Sequence, residues 1–198
     1  MTHAFIKLLD EKKKLLRNYT QNIDGLETAA GIPEDRIVEC HGHFRTGRCI
    51  QCKKPVEDME IVRDSIWKRQ VPKCVDCDSY VKPDIVFFGE QLPPRFHREL
   101  EPDLHVVDCC MVIGTSLQVP PVAHIPEMVG SAPRVLLNMQ RVGDVGKKKG
   151  DLFHAGACDE SVLQIAQHLE WEEELLQLHQ NAQASGVGKK ASETKLGT

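Results

Sequence analysis

Eight cysteines and a few tight polar clusters are the residues of this chain with the means to do chemistry. Four of the cysteines form two pairs, Cys49-Ile50-Gln51-Cys52 and Cys74-Val75-Asp76-Cys77, separated by 21 residues. Two intervening residues let both sulfurs of a pair reach one ion from a tight turn. Two such turns complete a tetrahedral shell of four thiolates, the closed form of a structural zinc site. Arg48, Lys53, Lys54 and Lys73 flank the thiolates and offset their charge. The competing readings are four free thiols or a redox Cys-x-x-Cys, although a redox motif normally occurs once, at a helix start. A full four-thiolate shell leaves no position for water, so the metal is expected to fold its segment and not to react. Cys40, Cys109, Cys110 and Cys158 are scattered.

His41 stands in Glu39-Cys40-His41-Gly42-His43-Phe44. An imidazole titrates near neutral pH and suits acid–base work, but a lone histidine is more often structural, and His43 shares the ambiguity. Three further polar groups follow apolar runs: Thr20-Gln21-Asn22-Ile23-Asp24, Gly114-Thr115-Ser116, and Asn138. Polar groups at the carboxyl ends of several strands mark the ligand edge of an open α/β sheet.

The elements that must position these groups follow from the apolar pattern. Thr2 to Lys14 predicts a helix with Phe5, Ile6, Leu8 and Leu9 as its stripe, and Leu15 to Tyr19 a short strand. Ile61 to Arg69 predicts a short helix between the cysteine pairs. Ile85 to Phe88, Val106 to Ile113 and Arg134 to Leu137 predict buried strands, and Ser161 to Leu178 a helix. Continuous apolar strands alternating with helices imply a parallel sheet covered on both faces. The segment 181–198, rich in Gly, Ser, Ala and Lys, is expected to be a disordered tail, and Lys147-Lys148-Lys149 a solvated loop.

Composition limits the partners. The chain has 198 residues, 41% of them apolar, and a formal charge of −4. That balance gives no basic excess for a nucleic-acid face, and no apolar run approaches the ~20 residues of a membrane span. No direct nucleic-acid partner and no membrane are expected. Paired cysteines fit a reducing compartment, so a cytoplasmic or nuclear location is expected, with a mitochondrial one left open.

The motifs in order are Tyr19-Thr20-Gln21-Asn22-Ile23-Asp24-Gly25-Leu26, Glu39-Cys40-His41-Gly42, the paired cysteines, Lys82-Pro83-Asp84-Ile85-Val86-Phe87-Phe88-Gly89-Glu90, and Gly114-Thr115-Ser116-Leu117-Gln118-Val119. In words, order and spacing they closely resemble the sirtuin family, from about Thr2 to near Leu178. The resemblance implies an α/β fold: a Rossmann-like parallel sheet with helices on both faces, carried by 1–44 and 79–180, and a small zinc-binding lobe at 45–78. It implies NAD+ as co-substrate, structural Zn2+, and an acylated-lysine protein or peptide substrate, with NAD and acyl-lysine meeting in a cleft between the lobes. It implies roles as well. His41 matches the catalytic base. Gln21, Asn22, Ile23 and Asp24 match the surroundings of the nicotinamide ribose. Gly114, Thr115 and Ser116 match ribose and phosphate contacts, and Asn138, Met139, Gln140 and Cys158 match adenosine contacts. Cys49, Cys52, Cys74 and Cys77 match the zinc ligands. Ile85, Val86, Phe88, Gly89, Glu90 and Val119 match the strand and loop that receive the peptide.

The sequence also departs from the family. No Gly-x-Gly-x-x-Gly follows a strand, so the family's phosphate loop and the first strand of its sheet are expected to be missing, as in a member truncated at its N-terminus. Cys40 replaces a common Ala, and Asn138-Met139-Gln140 replaces a usual Asn-Lys-Glu/Asp. The function expected by resemblance is NAD-dependent removal of acetyl or other acyl groups from lysine, releasing nicotinamide and O-acyl-ADP-ribose. The alternative is a zinc-containing substrate-binding or partner-binding module without catalysis. A nucleic-acid-binding zinc ribbon is disfavoured by the acidic balance and few aromatics.

Overall fold

In the computed structural model, which describes residues 1–184, the chain divides into two compact units. One comprises Met1–Tyr19, Leu26–Val38 and the chain from Arg98 onward; the other comprises Thr20–Gly25 and Glu39–His97, which includes the segment 45–78 and extends beyond it. The elements are α1 (Thr2–Glu11), β1 (Asn18–Thr20), α2 (Leu26–Ala29), β2 (Ile37–Glu39), β3 (Gly42–Cys49), α3 (Met59–Trp67), β4 (Val81–Ile85), α4 (Pro94–Val106), β5 (Cys110–Ile113), α5 (Ile125–Met128), β6 (Arg134–Asn138), β7 (Leu152–Ala155), α6 (Cys158–His168) and α7 (Glu172–Ala184). Short 3-10 turns precede β2 and α5. No helix among the described residues is long and apolar enough to cross a membrane.

The first unit is built on a parallel sheet in the order β5-β6-β7. Alternation along its strands sends apolar side chains to both faces. Met111, Ile113, Val135 and Leu137 pack with Ala4, Phe5 and Leu8 of α1, Val162 and Ala166 of α6, and Leu175 of α7. Cys110, Val112, Leu136 and Phe153 meet Leu117, Val142 and Val145 from the connections. Arg134, the first residue of β6, has a side chain with no exposed surface. Its guanidinium donates to both carboxylate oxygens of Asp151 (2.9 and 2.6 Å), to Asp144 (2.5 Å) and to the carbonyl of Pro126 (3.0 Å). Asp151 in turn accepts the backbone N–H groups of Gly146, Lys147 and Lys148. A buried charge survives only when its donors are matched, and here the match also folds the lysine-rich loop. Asp103 of α4 likewise accepts Arg17 and the Tyr19 hydroxyl.

The second unit holds β3 antiparallel to β4, with α3 between them in sequence. Asp58 caps α3 by accepting the N–H of Glu60. Val62, Val56, Met59 and Val81 pack with Cys49 and Cys74 into a small core.

Several elements differ from their expected form. No strand forms over 86–88: the run expected as a strand shares only Ile85 with β4, which pairs with β3 outside the parallel sheet, and Phe88 is 97% exposed. The apolar run reads as core only if both faces are covered, and they are not. The strand expected from Val106 starts at Cys110, because the N–H of Val107 still bonds to Asp103 at the end of α4. The helix expected over Ser161 to Leu178 is two helices, broken at Glu170, which has φ 60°. α7 continues through Ala184, four residues into the segment 181–198 read as a tail; 185–198 lie outside the described residues. α2, α4, α5, β2, β3 and β7 were not anticipated from sequence.

Candidate active site and metal centre

The sulfurs of Cys49, Cys52, Cys74 and Cys77 all lie within 4.8 Å of one another. Cys49 and Cys77 are 3.5 Å apart and Cys52 and Cys74 3.7 Å. With Zn–S bonds of about 2.3 Å, the edge of a regular tetrahedron of four sulfurs around zinc is about 3.8 Å, whereas a disulfide requires about 2.05 Å. The donor set and spacing therefore fit a tetrahedral thiophilic ion and not two disulfides. The N–H groups of Gln51 and Cys52 point at the Cys49 sulfur at 3.4 and 3.5 Å. Burial pushes the Cys49 thiol up, but these N–H groups and the Cys77 thiol outweigh it and hold Cys49 below the usual thiol range. β3 delivers Cys49, the turn after it Cys52, and the turn before β4 the other pair. Cys49 and Cys74 are buried while Cys52 and Cys77 face outward.

In the same unit, the backbone N–H of Cys40 donates to the Thr20 carbonyl (2.9 Å), which draws the Gln21–Asp24 turn beside His41. His41 Nδ1 lies 3.1 Å from the Gln21 carbonyl oxygen. A carbonyl only accepts, so Nδ1 carries the hydrogen, and in the neutral ring Nε2 carries the lone pair. Nε2 is buried and has no hydrogen-bond partner. That is the geometry of an imidazole held ready to take a proton. Asn22 N–H donates to the Thr20 hydroxyl, shaping the turn; Asn22 and Asp24 are exposed, and Ile23 is half-buried. Gly42 has φ 74°, and a Cβ there would sit 2.0 Å from the Asp84 carbonyl oxygen, so the chain can follow His41 only with glycine.

After β4, Val86 N–H bonds to the His41 carbonyl (2.8 Å), so the expected peptide-receiving residues start directly beside the histidine. Glu90 turns back to accept the Phe87 N–H at 2.9 Å and the Lys82 ammonium at 3.0 Å. Gly89 has φ 88° and open space where a side chain would be.

In the first unit, the end of β5 meets the end of β6 and the start of α6. Gly114, at φ 61°, donates to the Leu137 carbonyl. A Cβ on Gly114 would lie 3.0 Å from the Cys158 sulfur. The Asn138 amide donates to the carbonyls of Thr115 (3.1 Å) and Gln140 (2.8 Å), and the Thr115 hydroxyl accepts the Leu117 N–H. Cys158, first residue of α6, lies with its sulfur 3.7 Å from the Leu137 carbonyl. The structure thus brings Gly114, Thr115, Asn138, Gln140 and Cys158 together at the carboxyl end of the parallel sheet. Ser116, Met139 and Gln140 are exposed, and Val119 is half-buried in the loop after β5. Gly42 and Lys82 were not singled out from sequence; a glycine directly after the histidine and a lysine between Val81 and Pro83 were the available signals.

Residues 1–121 match the Sir2 family. The chain therefore belongs to the Sir2, or sirtuin, family. It is 47% identical over 178 residues to the NAD-dependent protein deacetylase hst2 of Schizosaccharomyces pombe, covering 89% of this chain and 53% of that protein. It is 44% identical to the NAD-dependent protein deacetylase sirtuin-3 of Mus musculus over 91% of this chain and 54% of that protein. Its identity to the NAD-dependent protein deacetylase sirtuin-2 of Danio rerio is 37%, over 97% of this chain and 56% of that protein. The chain spans about half the length of these relatives.

Proposed function

We propose that this chain serves NAD-dependent removal of acetyl or other acyl groups from protein lysine side chains, with nicotinamide and O-acyl-ADP-ribose as products. The observation that carries the reading is the His41–Gln21 hydrogen bond, which leaves Nε2 bare and buried. When bound, NAD supplies the electrophilic ribose carbon and the hydroxyl that takes over the acyl group. His41 Nε2 accepts the proton of that hydroxyl as general base. Gln21, Asn22, Ile23 and Asp24 orient the ribose and nicotinamide. Gly114, Thr115 and Ser116 hold ribose and phosphate, and Asn138 with Met139, Gln140 and Cys158 frames the adenosine. Ile85, Val86, Phe88, Gly89 and Glu90, with Val119, receive the acylated peptide, mainly through main-chain pairing. The four cysteines hold a structural zinc.

The test is deacetylation of an acetyl-lysine peptide, followed by mass spectrometry at high enzyme concentration, with metal content measured in parallel. His41→Tyr is expected to abolish product while zinc and melting temperature stay unchanged. Near-normal turnover by that variant removes His41 from the role of base and takes the reading with it.

One observation favours a second reading, a binding module without catalysis. Residues 1–198 contain no Gly-x-Gly-x-x-Gly after a strand, and pyrophosphates are ordinarily cradled by such a loop at a helix N-terminus. We infer that these residues by themselves bind NAD weakly. Calorimetric titration with NAD and an acetyl-lysine peptide, with a nicotinamide-release assay beside it, separates the readings: peptide binding with no nicotinamide release at any NAD concentration favours the module, and micromolar NAD binding overturns the weak-binding inference.

A further inference from the structure

Lys82 lies on the opposite face of β4 from Val81, which belongs to the small core beside the cysteines. Strand alternation should leave it solvated, yet its side chain is only 22% exposed. Lysines are covered to this degree when their ammonium is paired. Here Nζ donates to the Ile85 carbonyl at 2.6 Å and to Glu90 Oε2 at 3.0 Å, and lies 4.4 Å from the centre of the Phe87 ring. The same Glu90 oxygen accepts the Phe87 N–H, and the Glu90 N–H returns to the Phe87 carbonyl. One ammonium therefore ties the end of β4, the ring of Phe87 and the side chain of Glu90 into a closed clasp. What the clasp leaves uncovered is Phe88, 97% exposed, and Gly89, whose left-handed backbone has open space above it.

From this geometry we infer that Lys82 is a positioning residue for the acylated substrate: it holds the Val86–Glu90 turn in the backbone arrangement to which the peptide main chain pairs. The inference rests on the deacylase reading above. Main-chain pairing reads backbone position and little else, so a turn free to shift forfeits much of it. Lys82 does not touch the reacting atoms. Its effect belongs in peptide affinity, not in the proton transfer at His41.

The experiment is fluorescence anisotropy with a labelled acetyl-lysine peptide and its unacetylated counterpart on the full chain, with zinc content as the fold control. Lys82→Met is expected to weaken acetyl-lysine binding about tenfold or more at unchanged zinc content, and Lys82→Arg to recover most of it, because a guanidinium still reaches carbonyl and carboxylate. Glu90→Ala opens the clasp from its exposed end without burying anything. It is expected to weaken binding to a similar extent, and the double variant Lys82→Met/Glu90→Ala to be no worse than either single one. Unchanged binding in Lys82→Met overturns the inference and leaves the deacylase reading standing. If Lys82→Met loses its zinc, the exposed Glu90→Ala decides, and unchanged binding there has the same consequence. A wild-type chain that does not distinguish acetylated from unacetylated peptide takes down both.

Discussion

Gly42 tolerates no side chain. Its φ of 74° already disfavours every other residue, and a Cβ would press to 2.0 Å from the Asp84 carbonyl oxygen in the neighbouring strand. The strand β4 would have to move, and with it the Val86 N–H that bonds to the His41 carbonyl. Gly42→Ala is expected to destabilise the second unit by about 2–3 kcal/mol, the cost of a strained backbone residue without compensation. Hydrogen exchange at Ile85 and Val86 is the measurement, and protection equal to wild type there would mean that β3 and β4 stay paired and absorb the added Cβ without cost. The histidine is thus held from two sides, its ring by Gln21 and its backbone by β4.

At the scale of elements, three helices end in the same way. α1, α3 and α6 each close with a left-handed residue, Lys13 at φ 56°, Arg69 at φ 56° and Glu170 at φ 60°. In each case the next N–H reaches back along the helix: Lys14 to Leu9, Gln70 to Ser65 and Trp171 to Ala166. This double-bonded stop usually takes glycine, because a side chain in that conformation costs about 1–2 kcal/mol. Glu170→Gly is therefore expected to raise the melting temperature by ~2–4 °C, the shift produced by about 1 kcal/mol in a chain of this size. A lower melting temperature would show that the Glu170 side chain contributes more than its strain. The zinc module obeys a different logic. Its core is small, and only Val62, Val81 and the two buried cysteines are deeply covered. Structural zinc is worth about 10–16 kcal/mol of apparent binding energy in small modules. Chelation, or Cys74→Ser, is expected to erase exchange protection across β3, α3 and β4 while leaving β5 and β6 protected. Full protection after metal removal would assign the fold of the module to its apolar contacts.

For the molecule as a whole, the largest fully buried side chain among the described residues is that of Arg134, the first residue of β6. The Arg134 guanidinium holds Asp151 far below the usual carboxylate range, despite burial that pushes the other way, with the N–H groups of Lys148 and Gly146 assisting. A carboxyl whose folded value is depressed stabilises the fold above its ordinary value, near 4, and that contribution is lost as pH falls toward the depressed one. Acid is therefore expected to destabilise the chain progressively below about pH 4. Asp151→Asn is expected to melt lower at neutral pH and to show a shallower acid dependence. A melting temperature independent of pH between about 2 and 5 would assign Asp151 no part in folding. Replacing Arg134 with Met strands two carboxylates and is expected to cost about 10 °C or more in melting temperature.

Much of the site was legible before the fold. Spacing alone picked out the four cysteines whose sulfurs the structure gathers, because a tetrahedral shell demands two sulfurs per tight turn. Apolar runs ending in Gly114 and Asn138 located the carboxyl edge of the parallel sheet, because strand ends in such sheets carry the polar groups. The sequence determined these through short-range constraints, in which residue type and local geometry are tied together. The helix break at Glu170 was not legible, since it occupies a position where glycine would have announced a stop, whereas the ends read at Lys14 and Arg69 lie at or beside the left-handed stops of α1 and α3. The apolar Ile85 to Phe88 run read as a buried strand, since residue type does not say which neighbours will cover it; in the structure Phe88 faces solvent. Only the tertiary structure decided that Lys82 folds back over Phe87, that Gly42 lies against Asp84, that Arg134 gathers two aspartates, and that the Gln21 carbonyl fixes the tautomer of His41. Each of these joins residues far apart in the chain or depends on the path of the backbone, and no pattern of residue types along the sequence encodes which distant carbonyl or carboxylate a side chain will meet.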